Sequence, residues 1–130
     1  MAFRVHIDPA ARRGTVVAYD AASGEEAVAA MEALFLDPAW ESGFDALWDL
    51  TGVRTIDMDR EGAAALALRV RVLEPLMGPG RGAFAVAEGD QRRLTEAILH
   101  LTRVPGRERR VFPTLDEARA WLDEARAPTP

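Results

Sequence analysis

Short segments with the period of a β-strand alternate with longer segments with the period of an α-helix, and this order limits the fold most. Apolar Phe3, Val5 and Ile7 alternate with polar residues, as in a strand with one buried face. The segment "TVVAY" (15–19) predicts a second strand. The connection between the two strands is short and contains Pro and Gly, which favours an antiparallel hairpin.

The first and last predicted helices both begin with a capping box. Ser23 precedes Glu26 by three residues, and Thr114 precedes Glu117 in the same way. Apolar residues then recur on one face of each helix. These residues are Ala27, Met31, Leu34 and Phe35 in the first helix, and Leu115, Ala118, Trp121, Leu122 and Ala125 in the last.

Two further helices are predicted in the middle of the chain. One spans about 60–76 and ends at "GPG", and the other begins with Asp90 as its N-cap. The glycine-rich segment "GPGRG" (78–82) precedes a strand, so it predicts a helix terminator rather than a phosphate-binding loop. The third helix carries an apolar stripe, which indicates its buried face. The stripe consists of Leu94, Ala97, Ile98 and Leu101.

Three more strands complete the predicted sheet. They are "ALWDL" (46–50), "GAFAVA" (82–87) and "RRVF" (109–112). The order ββαβαβαβα predicts an α/β fold with a mixed sheet of about five strands and four helices, in which parallel strands follow the N-terminal hairpin. No linker or repeat interrupts residues 1–130, so one domain is expected, with "APTP" (127–130) as a frayed tail.

Composition excludes several kinds of chemistry. The sequence has no cysteine, which excludes disulfides, thiolate metal sites and cysteine nucleophiles. It also has no lysine, which excludes Schiff bases and the lysine of a phosphate-binding loop. His6 and His100 lie on different predicted elements, without the partners of a catalytic triad. We therefore expect no catalytic residue, no metal site and no cofactor.

The charge distribution bears on partners and location. The net charge is −5, with acidic residues concentrated between positions 20 and 61 and arginines between 81 and 110. The acidic segment is either an ordinary solvated surface or a recognition face, and in both cases nucleic acid is not an expected partner. The chain has no apolar run of the roughly 18 residues that a membrane span needs, and its start does not resemble a secretion signal. A cytoplasmic location is expected.

Three segments are informative together: "LWDLTGVRTID" (47–57), "GAFAVAEGD" (82–90) and "VFPTLDEARAWL" (111–122). They resemble the SpoIIAA-like branch of the STAS domain, a family named for sulfate transporters and anti-sigma-factor antagonists. Together with the element order, the resemblance covers nearly the whole chain. It implies a bacterial signalling domain that binds partner proteins and has no enzymatic activity, and it leaves a homodimer open.

In anti-sigma-factor antagonists of that family, the turn after the third strand reads Asp-Ser-Ser-Gly, and a partner kinase phosphorylates the second Ser. Alignment on Asp57 places Met58 and Asp59 at the two serine positions, followed by Arg60. The acceptor hydroxyl is therefore missing. Asp59 is either a plain N-cap of the next helix or also a fixed negative charge that imitates the phosphorylated state.

Two functions follow as alternatives. The leading one is a module that docks a partner protein through the turn 57–62 and the exposed side of the following helix. The other is a binder or carrier of a small hydrophobic, lipid-like molecule, because the SpoIIAA-like fold is similar to that of lipid-binding Sec14-type domains. The cleft predicted for such a molecule is lined by Trp40, Met58, Leu66, Val70 and Met77.

Overall fold

The computed structural model describes residues 2–126, with side chains described up to position 124. The nine elements occur in the predicted order ββαβαβαβα. They are β1 (Ala2–Asp8), β2 (Arg13–Ser23), α1 (Gly24–Phe35), β3 (Asp45–Asp57), α2 (Arg60–Met77), β4 (Gly80–Ala85), α3 (Asp90–Leu101), β5 (Arg107–Phe112) and α4 (Leu115–Arg126). The predicted tail "APTP" and the side chain of Ala125 lie outside the described part.

The strands form one five-stranded sheet in the order β1-β2-β3-β4-β5. β1 and β2 are antiparallel, and the remaining neighbours are parallel, which confirms the predicted mixed sheet. Each parallel strand pairs with the next one along the chain. Each connection between parallel strands moves one strand further in the same direction, so crossovers of one hand place α1, α2 and α3 on the same face of the sheet. α4 packs against the opposite face.

The two faces of the sheet therefore have separate cores. Because side chains alternate along a strand, Trp48 of β3 belongs to the larger core under α1–α3, while its neighbour Leu47 belongs to the smaller core under α4. The smaller core includes Trp121 and Leu122, so the predicted packing of the last helix is confirmed. The candidate functional site lies on the sheet face under α1–α3.

The central strand is longer than predicted. The apolar run of β3 ends at Leu50, but the strand continues to Asp57 because it pairs with the C-terminal half of β2, where Tyr19 lies opposite Gly52. Val53 in this extension is buried, and Thr55 and Ile56 are further β-branched residues, which strands favour. The prediction of a strand that ends at Leu50 was thus wrong, because it considered only the apolar run.

The predicted buried face of α3 was wrong in part: Ile98 packs against the larger core, but Ala97 and Leu101 are exposed. Leu101 is 68% exposed, and Thr95 is the buried residue of this helix. The hydroxyls of Thr95 and Thr102 each donate to a backbone carbonyl one turn earlier, at 2.7 Å, so they can face the sheet without an unsatisfied donor. Asp90 is the first residue of the helix rather than its N-cap, and Gly89 at φ 124° occupies the cap position without a side-chain hydrogen bond.

The other helix signals are confirmed. Ser23 Oγ accepts from the backbone N–H of Glu26 at 3.2 Å, and Thr114 Oγ1 accepts from that of Glu117 at 3.2 Å. α2 ends at Met77, one residue after its predicted end, and Gly78 follows as the C-cap with φ 69°. This left-handed conformation favours glycine, which explains why the "GPG" segment terminates the helix.

Candidate functional site

A cavity of about 140 Å³ lies between the sheet and helices α1–α3. Its walls are almost entirely apolar. β3 contributes Trp48 and β4 contributes Phe84, and their rings are stacked with centroids 5.7 Å apart and an angle of 2° between their planes. The cavity therefore has an aromatic floor on the central strands.

The space exists because two neighbouring side chains on the floor are small. Ala46 pairs with Gly82 across β3 and β4, and Gly82 pairs with Arg109 across β4 and β5. The next row across the same strands carries Trp48 and Phe84 and is filled. A row of small residues beside a row of large ones leaves a volume, and Arg109 of the edge strand borders it in the same row as Gly82.

Helix α3 covers the cavity on the side of β4 and β5. Ile98, Leu99 and Thr102 line it from above, next to Thr95. The helix buries little else, since the large side chain of Leu101 points to solvent. The cavity is therefore covered by the helix with the fewest completely buried residues of the three on that face.

Arg107 and Arg109 are the charged residues in the cavity wall, both on β5. Nη1 of Arg107 donates to the carbonyls of Met77 and Gly78 at 3.3 and 3.2 Å. Its Nη2 donates to the carbonyl of Phe44 at 2.9 Å. The guanidinium of Arg107 thus donates to carbonyls at the C-terminal end of α2, where a positive charge is favourable.

Arg109 makes a similar contact with the end of α3. Its Nη2 donates to the carbonyl of Leu99 at 2.9 Å and also to that of Thr102, and its Nη1 donates to Thr102 Oγ1 at 3.3 Å. A guanidinium has five N–H donors. Two donors of Arg109 thus remain without a protein acceptor among the described residues, and no described carboxylate forms an ion pair with it.

Burial lowers the pKa of both arginines. It lowers the pKa of Arg107 to about 10, while Asp45 raises it and Arg109 lowers it to smaller extents. Burial likewise lowers the pKa of Arg109 to about 10. Both groups remain protonated at neutral pH, so the edge of an apolar cavity carries positive charge that is partly removed from water.

Outside the cavity, an open depression lies between the C-terminal end of α3 and β5. It shares Arg107 and Arg109 with the cavity wall. His100 and Arg103 also line the depression, together with Glu96, which forms an ion pair with Arg92 at 3.1 Å. The two arginines on β5 therefore separate an apolar interior from a polar surface.

Four of the five residues predicted for a hydrophobic cleft line the cavity. They are Met58, Leu66, Val70 and Met77. Trp40 is not in the wall: its indole N–H donates to the carbonyl of Leu76 at 2.8 Å, and its ring packs edge-on against Phe35 and Phe44. The sequence reasoning missed both arginines, although arginine at alternate positions of "RERRVF" places two cations on one face of a strand.

The residues of the predicted docking turn differ in their exposure. Asp57 and Arg60 are exposed, whereas Met58 is partly buried and reaches the cavity. Asp59 is the N-cap of α2, and its Oδ1 accepts from the backbone N–H of Gly62 at 2.7 Å. The turn thus presents two exposed charged side chains beside a helix cap.

The exposed side of α2 carries an apolar stripe. Leu68 is 66% exposed and Val72 60%, and Leu76 follows one turn later at 41%. Residues four apart lie on one face of a helix, so the three side chains form a continuous surface. We call Leu68, Val72 and Leu76 the α2 stripe.

Two further features bear on function. Between positions 2 and 126, no group of three or more His, Asp or Glu side chains is placed to hold a metal ion. Within the same residues, no helix combines the length and the apolar character that crossing a bilayer requires.

The fold resembles two solved structures along most of the chain. One is the anti-sigma factor antagonist SpoIIAA in its unphosphorylated form, with 16% identity and a TM-score of 0.52 over 98% of this chain and 100% of that chain. The other is an uncharacterized protein of the DUF3478 family, with a SpoIIAA-like fold, from Shewanella loihica PV-4. It has 17% identity and a TM-score of 0.56 over 93% of this chain and 92% of that chain.

No protein-family model matches the sequence, and comparison with curated proteins gives no match. At 16–17% identity, the two structural relatives are informative about the fold. The five-stranded mixed sheet, the four helices and their order agree with both of them. The chain therefore has the SpoIIAA-like fold, as the resemblance to STAS domains predicts.

Proposed function

We propose that the chain is a non-enzymatic binding module of SpoIIAA-like fold that holds a small apolar ligand between its sheet and helices α1–α3. The apolar cavity is the observation that supports this most directly. Protein interiors are normally packed with few voids larger than a water molecule. A cavity over an aromatic floor, covered by a helix with little buried surface, is suited to a ligand that enters when the helix moves.

The volume indicates the size of the ligand. The cavity measures about 140 Å³, and an apolar cavity of about 150 Å³ in another protein binds benzene. One aromatic ring or a short alkyl group therefore fits without rearrangement. A longer lipid chain would have to displace α3.

The proposal is tested by filling the cavity. Ala46 is 1% exposed and lies on the cavity floor, so Ala46→Leu places a larger side chain in the space of the ligand. Ala65→Leu is the matched control, because the same change is made on the exposed surface of α2. Ligand carried from the host is detected by native mass spectrometry, and binding of added toluene or indole by the rise in Tm that a saturating ligand causes.

We expect the wild type and Ala65→Leu to be stabilised by toluene or indole, and Ala46→Leu to show no such rise. Equal stabilisation of all three proteins would place the binding elsewhere. If neither compound raises the Tm of the wild type and no small molecule accompanies the purified protein, the proposal fails.

The second candidate function is docking of a partner protein, which the α2 stripe favours. Three large apolar side chains lie on one exposed face of α2, the helix that begins at the charged turn of Asp57 and Arg60. Apolar residues at this spacing are typical anchors of helix-mediated recognition. A regulatory role in the cytoplasm, analogous to that of an anti-sigma-factor antagonist, belongs to this candidate.

Docking is tested with Val72→Asp, which introduces charge at the centre of the α2 stripe. Arg119→Asp, on the exposed side of α4, is the control for charge alone. A partner isolated with the wild type should be lost from Val72→Asp and retained by Arg119→Asp. Light scattering of the purified proteins shows whether the partner is a second copy of the chain.

A further inference from the structure

We propose that the ligand of the cavity is a small carboxylic acid, whose apolar part lies over Trp48 and Phe84 and whose carboxylate binds Arg109. The inference rests on the proposed ligand-binding function and specifies the chemical class of the ligand. It follows from the position of Arg109, which lines both the apolar cavity and the open depression outside it.

The apolar part of the ligand is defined by the floor. Trp48 and Phe84 both line the cavity, and their stacked rings are parallel to within 2°. A third ring packed against them also contacts apolar side chains from α1, α2 and α3. With space for about one ring, an arylacetate or an acid of similar size is the expected class.

The charged part is defined by Arg109. Arg109 is partly buried, and a cation that has lost part of its hydration is stabilised by an anion or by several hydrogen-bond acceptors. The partners of Arg109 are carbonyls and one hydroxyl, which leave two N–H donors and the full positive charge without a described carboxylate. A ligand carboxylate supplies the missing negative charge and accepts from the remaining donors.

The surroundings indicate Arg109 rather than Arg107. Arg107 donates to the carbonyls of Met77, Gly78 and Phe44, and Asp45 lies near enough to raise its pKa. Its role is to hold the end of α2 and the start of β3 together. Burial lowers the pKa of Arg109 to about 10 with no opposing carboxylate. The group stays charged at neutral pH, as binding of an anion requires.

The depression outside the cavity is consistent with an anionic ligand. Arg103 and His100 face it together with Arg107 and Arg109, and its acidic residue, Glu96, is paired with Arg92. An approaching carboxylate thus meets net positive charge at this surface, although the whole chain has a net charge of −5. A cation of the same size would be repelled.

The test compares three ligands of nearly equal shape: phenylacetate, phenylacetamide and 2-phenylethylamine. Isothermal titration calorimetry measures each against the wild type and against Arg109→Gln. Glutamine can still donate to the carbonyls at the end of α3, so this variant removes the charge while it keeps hydrogen-bond donors. Circular dichroism and the Tm confirm that the variant is folded.

We expect phenylacetate to bind the wild type about tenfold or more tightly than phenylacetamide, since a charge-assisted hydrogen bond is worth about 1.5–3 kcal/mol. The amine should bind most weakly. In Arg109→Gln, the preference for the acid should disappear while the amide binds as before. The comparison of acid and amide on the wild type tests the inference even if the variant does not fold.

Equal affinity for phenylacetate and phenylacetamide would overturn the assignment of the carboxylate to Arg109 and leave the apolar cavity as the binding site. If toluene binds but none of the three polar ligands does, the carboxylic-acid class is wrong and the proposed function stands. If toluene also fails to bind, both proposals fail. Loss of acid and amide binding alike in a folded Arg109→Gln would make Arg109 a structural residue only.

Discussion

Gly82 and Arg109 lie directly opposite each other in the β4–β5 pairing, and a β-carbon at Gly82 would lie 3.2 Å from Cγ of Arg109. This relationship joins the two features of the site. The missing side chain at Gly82 contributes to the cavity and also leaves room for the stem of Arg109. The guanidinium then reaches the end of α3.

A first prediction follows for Gly82→Val. The added methyl groups enter the cavity and displace the stem of Arg109, so we expect binding of phenylacetate and of toluene to fall together. Arg109→Gln, in contrast, should affect only the acid. Calorimetry on the two variants checks this difference, and unchanged toluene affinity in Gly82→Val would contradict the place given to Gly82 in the cavity floor.

A second prediction concerns the N-cap of α2. Asp59→Ala removes the acceptor for the N–H of Gly62 and should lower the free energy of unfolding by about 1 kcal/mol. Asp59→Asn and Asp59→Ser keep an acceptor and should change stability by only a few tenths of a kcal/mol. Urea denaturation of the four proteins measures these differences.

The same variants separate the two hypotheses for Asp59. If its charge imitates a phosphorylated serine, Asp59→Ser and Asp59→Asn should change the affinity for a co-purified partner while the fold remains intact. If Asp59 is only a cap, partner affinity is the same in the wild type and in both variants. We predict the second result, because the structure gives the carboxylate a complete capping role.

A third prediction concerns Arg107, whose guanidinium connects the end of α2 to Phe44, the residue before β3. Arg107→Met leaves the buried carbonyls of Met77 and Phe44 without this donor and should cost about 2–4 kcal/mol in the free energy of unfolding. The exposed Arg119→Met should cost less than about 0.5 kcal/mol. A loss below that of the control would contradict the structural role of Arg107.

A fourth prediction concerns metal ions. No cluster of metal-binding side chains is present among the residues that the structure describes, so we expect the Tm to be the same with and without a chelator. Differential scanning calorimetry measures this directly. A fall of several degrees that Mg²⁺ or Zn²⁺ reverses would show a structural metal site.

Much of the fold was predictable because local signals and tertiary packing agree. The capping boxes at Ser23 and Thr114 define helix starts in the sequence and in the structure. The alternation of Phe3, Val5 and Ile7 places one face of β1 on the larger core. Such signals depend on near neighbours in the chain, which a sequence displays.

The errors arise where distant residues decide. The extension of β3 beyond Leu50 depends on pairing with β2. The hydroxyls of Thr95 and Thr102 donate to backbone carbonyls of the same helix, so these polar residues can lie on the buried side of α3. The cavity similarly requires Ala46 and Gly82 to meet across two strands. A sequence pattern does not state which positions are opposite each other in a sheet.

The candidate site was predicted in part for the same reason. Met58, Leu66, Val70 and Met77 are apolar at helical spacing or at a helix start, so their place near a cleft could be anticipated. Arg109 could not, because its environment is created by the fold: an edge strand, a helix end and an adjacent void. Trp40 was predicted to line the cleft as an apolar residue, whereas its indole N–H donates to the carbonyl of Leu76 at the end of α2.

The most direct test of the central claim uses the methionine methyl groups. The chain has four methionines, and Met31, Met58 and Met77 all line the cavity, from α1, from the turn before α2 and from the end of α2. In a protein labelled with ¹³C at the methionine methyls, titration with toluene should shift these three resonances together and saturably, and Ala46→Leu should abolish the shifts. Unchanged resonances of Met31, Met58 and Met77 at saturating toluene would show that the cavity does not bind an apolar ligand.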